Sequence, residues 1–173
     1  MIKAYETSGS IMFSEEQRFP KWLALAILSP VILTVGIMLF MSNSKDVDKG
    51  EMWLALGLMI PVELILFYIF SSARFESRVT TNGLYYRWKP LQKKFRVIER
   101  EEIQEVEVRR SPALEYGPNR VPGYGKVHIA RKGEGVQLRL ANGKKIFFST
   151  GDPHGLQKAI MEISGTNSKT RWK

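Results

Sequence analysis

Two long uncharged runs constrain this chain more than any other feature. Residues 22–41 carry no charged side chain over 20 positions, and residues 52–73 carry only Glu63 over 22. A helix rises about 1.5 Å per residue, so either run reaches across the roughly 30 Å hydrocarbon core of a bilayer. The polar link between them, 42–51, has ten residues, too few for a domain. The spacing predicts a helical hairpin whose two outer ends lie on the same side of a membrane.

Average composition conceals this pattern. A mean hydropathy of −0.17 and 25% charged residues describe an ordinary water-soluble protein. The charge lies outside the runs: residues 1–21 are net 0, 22–73 net −2 and 74–173 net +11, against +9 overall. About 100 residues suffice for one small domain with its own core. The expected organisation is a lead-in at 1–21, a transmembrane hairpin at 22–73 (spans 22–41 and 52–73, link 42–51), a globular domain at 74–164 and a basic tail at 165–173.

Cysteine is absent, which excludes a disulfide framework, a thiolate metal site and a cysteine nucleophile. Arg18 and Lys21 before the first run, with Arg74 and Arg78 after the second, outweigh Lys45 and Lys49 in the link. Basic residues collect on the cytoplasmic side, so both termini are predicted cytoplasmic and the link external. The first run is too long for a cleaved signal peptide and lacks a small-residue cleavage pattern. Trp22 and Trp53 stand at the starts of the runs, where amphipathic indoles anchor at an interface. Pro30 and Pro61 are expected to kink their helices, and Gly36 and Gly57 to permit close helix approach.

Glu63 is the one intramembrane residue that demands an explanation. A carboxylate at mid-span costs on the order of 3 kcal/mol or more, and lost hydration favours the neutral acid. Ser29, Thr34 and carbonyls near Pro30 are the available partners. Glu63 is therefore either a neutral acid bonded within the hairpin or a polar site used for assembly, sensing or transport. Two helices cannot enclose a pore, so transport would require a homo-oligomer.

From Phe75 the pattern changes to alternation. Strands are predicted at 75–81 and 84–89 around an Asn82–Gly83 turn, the strongest short hairpin signal. Others follow at 93–98, 103–110, 125–131, 135–141 and 144–149, with a second turn at Asn142–Gly143. The segment 111–124, rich in proline and glycine, reads as a long irregular loop of the kind that is more often functional than a mere connection. Asp152 and Pro153 then look like the N-cap and first position of a helix. Leu156, Ala159, Ile160 and Ile163 give that helix one apolar face, and Gly165 ends it.

Seven strands and a terminal helix make the order of a pleckstrin-homology (PH)-like fold, an α+β, mainly β domain in which a seven-stranded antiparallel sheet or barrel is capped by one C-terminal helix. Five stretches carry a resemblance. They are Glu16-Gln17-Arg18-Phe19, Thr81-Asn82-Gly83-Leu84-Tyr85-Tyr86-Arg87, Glu115-Tyr116-Gly117, Gly135-Val136-Gln137-Leu138, and 142–156 with its Asp152-Pro153 pair. On these, over roughly 15–163, the chain resembles bacterial two-span membrane proteins with a C-terminal PH-like domain of unknown function. The resemblance implies a multi-pass protein of the inner cell membrane. The headgroup site that eukaryotic PH domains build around a longer first hairpin loop is absent in that form.

Catalytic constellations are missing. His128, between Val127 and Ile129, reads as a solvent-facing strand residue, and His154 as a surface residue. Neither has carboxylates at ligand spacing, so no metal, cofactor or enzyme activity is expected. The basic side chains are the better lead: Lys89, Lys93, Lys94 and Arg96, then Arg109 and Arg110, with Lys144 and Lys145 elsewhere. Each Lys or Arg near an anionic leaflet contributes about 1 kcal/mol of attraction. Nucleic acid is disfavoured, because alternation sends Leu84, Tyr86 and Trp88 to the core, away from Tyr85, Arg87 and Lys89. The expectation is a non-enzymatic, membrane-anchored PH-like module that binds a protein partner or the anionic membrane surface. The alternative is a small oligomeric transporter or sensor built on Glu63.

Overall fold

The computed structural model describes residues 4–5, 9–41, 49–112 and 115–165. In chain order the elements are β1 (Ala4–Tyr5), β2 (Ile11–Arg18), α1 (Lys21–Met41), α2 (Lys49–Ser72), β3 (Arg74–Thr80), β4 (Gly83–Lys89) and β5 (Phe95–Glu99). A 3-10 turn at Arg100–Glu102 leads to β6 (Ile103–Arg110), β7 (Gly117–Val121), β8 (Gly125–Ile129), β9 (Glu134–Leu140), β10 (Lys145–Ser149) and α3 (Pro153–Ser164). They form two units: Phe19–Ala73, and Met1–Arg18 with Arg74–Lys173.

In the helical unit α1 and α2 pack on each other, and Phe19 meets Phe70 with ring centroids 5.9 Å apart. Both helices are long and apolar enough to cross a membrane, and neither is buried in protein. Large apolar side chains such as Leu25, Ile32, Leu54 and Leu58 are about two-thirds exposed. Apolar surface on that scale marks a membrane or a partner. A Cβ on Gly36 or Gly57 would meet nothing within 4 Å, so neither glycine serves the close approach anticipated for it. Most of the link, 42–48, and the basic tail beyond Gly165 lie outside the described residues.

The second unit is a two-layer sandwich with order β1-β5-β4-β3-β2 in one sheet and β6-β9-β10-β8-β7 in the other. This replaces the anticipated seven-stranded antiparallel sheet or barrel, and one pair, β8 with β10, is parallel. Two of the added strands were hidden by their residues. The stretch 1–21 is not a plain lead-in, because β2 pairs with β3 from Ile11↔Thr80 to Arg18↔Arg74. Beside Phe13, its inward positions are polar: Gln17 Nε2 donates to the Ser149 carbonyl (2.6 Å), and Glu15 Oε1 accepts from the Gly151 amide (2.7 Å). The loop assigned to 111–124 contains β7, which forms an edge hairpin with β8. An edge tolerates Pro118, whose missing donor no central strand could afford.

Register follows alternation. Leu84, Tyr86 and Trp88 of β4 and Phe75 of β3 face His128 of β8, Val136 and Leu138 of β9 and Phe148 of β10, all buried. The β3–β4 turn sits one residue earlier than anticipated, at Thr81–Asn82, with Thr80 paired to Gly83. Gly83 has φ +151, and a Cβ there would collide with the Ile98 carbonyl oxygen, so β5 passes too close for any side chain.

Asp152 caps α3 as expected, accepting from the Gly155 amide at 2.8 Å, and Gly165 closes it with φ +64. Leu156, Ala159 and Ile160 are buried. Each large apolar side chain so buried contributes about 1.5–3 kcal/mol. The helix lies against β2, β3 and β4 of one sheet and β6 and β9 of the other. It closes one side of the sandwich and leaves the β5/β8 side without a helix.

Candidate functional site

Between the sheets, on the side that α3 leaves open, lies a cavity of about 620 Å³. Register explains its lining. Tyr86 lines it from the inward face of the first sheet, with its register partner Arg96 next to the lining, and Lys126 and Ile146 pair on the inward face of the second sheet. Tyr86, Ile98, Leu140 and Ile146 form an apolar floor and walls. Arg120, Lys126, Lys144 and Lys145 bring positive charge to it, against Glu99 and Glu102. A concave apolar pocket with a few converging polar groups is the usual form of a ligand site.

Lys126 is poorly compensated. Burial, then the neighbouring Arg96 and Arg120 charges, depress the Lys126 ammonium below its ordinary value. No carboxylate pairs with Lys126 among the described residues. Burial likewise raises the Tyr86 phenol, a rise that the Arg96 guanidinium beside it moderates.

Deeper in the same interlayer space is His128. It is fully buried, which corrects its assignment to the solvent face. The reason is parity: Val127 and Ile129 do share a face, but it is the outer one, covered by Tyr116, Val121 and Tyr124. The imidazole lies nearly parallel to Phe75 (5.7 Å, 8°) and Phe148 (5.3 Å, 9°), whose own centroids are 6.0 Å apart, so the three rings form one cluster. Its Nδ1 accepts from Trp88 Nε1 at 2.9 Å, and its Nε2 has no partner among the described residues. Burial, then the charges of Lys126 and Arg96, push its pKa down to about 3. His128 is a neutral core residue; His154 is exposed in the first turn of α3.

The six cations singled out from sequence are not brought together. Lys89 binds Glu76 Oε1 at 2.6 Å, while Arg87 takes Glu76 Oε2 at 2.7 Å. Burial alone would raise the Glu76 carboxyl, but its hydrogen bonds to Lys89 and Arg87 and their charges hold it below the ordinary range. Lys93 and Lys94 are exposed ahead of β5. Arg96 alone belongs to the cavity side. Arg109 lies over the Tyr124 ring at 4.3 Å. Arg110 is exposed at the β6 end paired with Glu134, remote from the β9–β10 turn that lines the cavity. Arg120 and Lys126 were missed. The Lys126–His128 alternation was a signal for Lys126, misread because both faces of β8 are covered.

A second basic feature lies where the helical segments join the sandwich. Arg18, Arg74 and Lys89 form one row across β2, β3 and β4. Glu16 is shared by Arg74 (3.1 Å) and Arg18 (3.6 Å). With Arg87, four cations face two carboxylates, Glu16 and Glu76. In the helical unit Glu63 Oε2 is occluded and has no hydrogen-bond partner among the described residues.

A family model described as bacterial PH domain matches residues 23–147, which takes in most of α1, all of α2, β3 to β9 and the start of β10. No curated protein matches the chain.

Proposed function

The chain belongs to the bacterial PH domain family, and from that premise we propose a non-enzymatic, membrane-anchored module whose PH-like domain meets an anionic membrane surface. One observation carries the reading: the apolar helical pair is inserted between two adjacent antiparallel strands. Arg18 and Arg74 are direct register partners, and α1 begins three residues after the one while α2 ends two before the other. If both helices span, both outer ends must emerge on one side, and the Arg18–Arg74–Lys89 row is then next to the headgroups. The loop-charge bias makes that side the cytoplasmic face of the inner membrane.

A non-enzymatic reading is favoured by the histidines, since His128 is enclosed and neutral and His154 stands without an acid partner at ligand spacing. Exposed surface cations contribute about 1 kcal/mol each near an anionic leaflet, enough to orient a tethered domain without a deep headgroup pocket. The test is hydrogen exchange on the intact chain in nanodiscs. Replacing zwitterionic lipid by one-third phosphatidylglycerol should slow exchange at the Arg18 and Arg74 ends of β2 and β3, and Arg18→Gln with Arg74→Gln should remove the effect. Identical exchange in both lipids would exclude the headgroup contact and leave a protein partner as the ligand.

The unpartnered Glu63 Oε2 favours a second reading, a homo-oligomer in which Glu63 bonds across subunits as part of a sensor or transporter. Crosslinking in membranes tests it. Glu63→Gln should keep the oligomer and Glu63→Leu should lose it, whereas a monomer in the unaltered protein ends this reading.

A further inference from the structure

We infer that the cavity between the sheets binds a small amphiphilic anion taken from solution, its phosphate or carboxylate held by Lys126, Arg96 and Arg120 and its apolar body lying on Tyr86, Ile98 and Ile146. The cavity's volume, about 620 Å³, suits a ligand of a few dozen atoms. Its two chemistries are arranged to match. Alternation places Arg96 and Ile98 on one inward face of β5, and Lys126 opposite Ile146 across the parallel β8–β10 pair. A half-buried ammonium beside two guanidinium groups is costly without an anion, and no side chain supplies one to Lys126 among the described residues. Glu99 and Glu102 are exposed at the rim, where they disfavour polyanions and leave room for a single anionic head.

The source follows from register, and this part alone rests on the membrane reading. Lys89 belongs to the row where the helical segments join, Tyr86 lies three residues from it along β4, and Leu84, the partner of Ile98, five. At 3.3–3.4 Å per residue the cavity is about 10–17 Å from that row, beyond the roughly 8 Å screening length of physiological salt. A headgroup held in the bilayer does not reach it; a dissolved amphiphile does.

Calorimetric titration of the full chain in phosphatidylcholine nanodiscs, with empty discs subtracted, tests the inference with octyl phosphate as probe. Saturable binding of one octyl phosphate per chain is expected. Inorganic phosphate, which lacks the apolar body, and octylphosphocholine, which lacks the net charge, should each bind at least about tenfold more weakly. Lys126→Gln should weaken octyl phosphate at least about tenfold while keeping or raising the melting temperature, because a desolvated cation is removed. Arg110→Gln should change nothing. Absence of saturable binding, or equal binding by Lys126→Gln, overturns the site. In discs containing one-third phosphatidylglycerol the affinity should be unchanged; competition by that lipid overturns the solution source. The Arg18→Gln, Arg74→Gln protein should bind octyl phosphate normally, so the pocket and the surface contact fail independently.

Discussion

His128 gives the sharpest quantitative test of the sandwich core. The imidazole is enclosed by Phe75, Tyr86 and Phe148, and its one hydrogen bond occupies Nδ1. Burial first, and then Lys126 and Arg96, bring its pKa from 6.5 to about 3. The folded protein therefore does not bind a proton at His128 that the unfolded chain binds below pH 6.5. Between these two values the unfolded state carries more protons, so stability falls as pH falls. From pH 7.5 to 5.0 the loss is about 2 kcal/mol, a figure set by the unfolded pKa as long as the folded one stays well below 5. The assay is urea unfolding of the full chain in mild detergent, followed by near-ultraviolet circular dichroism at several pH values. His128→Phe keeps the aromatic cluster and should abolish the slope above pH 5. It removes the hydrogen bond from Trp88 Nε1, which costs about 1 kcal/mol at pH 7.5. A slope that persists undiminished in His128→Phe, or is absent from the unaltered protein, would refute the buried neutral imidazole.

Two further substitutions probe named contacts. Glu76→Gln should destabilise the sandwich by about 3 kcal/mol at pH 7, chiefly through Arg87, because Lys89 is too exposed to weigh heavily. Since the Glu76 pKa is depressed in the fold, that contribution is present above about pH 4.5 and disappears as pH falls through the folded value, a window that opens lower than that of His128. Gly83→Ala combines a left-handed backbone with a collision at the Ile98 carbonyl and should cost about 2–4 kcal/mol, against about 1 kcal/mol for Gly143→Ala, where a Cβ meets open space. Equal losses at the two glycines in urea unfolding would remove the close-approach argument.

Legibility in the sequence depended on whether one face of an element was simply apolar. The alternation of Val136, Leu138 and Leu140 and the capped, one-faced α3 could be read directly, as could two runs long enough for a bilayer. Gln17 could not be read as an inward residue, because the groups that satisfy it, Ser149 Oγ and the Ser149 carbonyl, are 132 positions away. Glu15 was hidden for the same reason, and with it the whole of β2. The parity of β8 was ambiguous because Val127 and Ile129 are buried on the outside by the β7–β8 hairpin. The cavity was least visible. It depends on a parallel β8–β10 pairing that brings Lys126 beside Ile146, and nothing local in either strand announces such a partner. A cluster of cations in sequence, Lys89 to Arg96, was by contrast dispersed by the β4–β5 geometry and by Glu76.

The insertion of the helical pair between β2 and β3 makes one claim that can be measured directly, that the sandwich and the link lie on opposite sides of a membrane. The chain contains no cysteine, so single cysteines introduced at Ser44 in the link, and at Ser10 and Ser164 in the sandwich unit, report without interference. A membrane-impermeant maleimide applied to intact spheroplasts should label Ser44→Cys alone, and label Ser10→Cys and Ser164→Cys only after permeabilisation. Labelling of all three from the same side, or release of the protein from membranes by alkaline carbonate, would contradict the account.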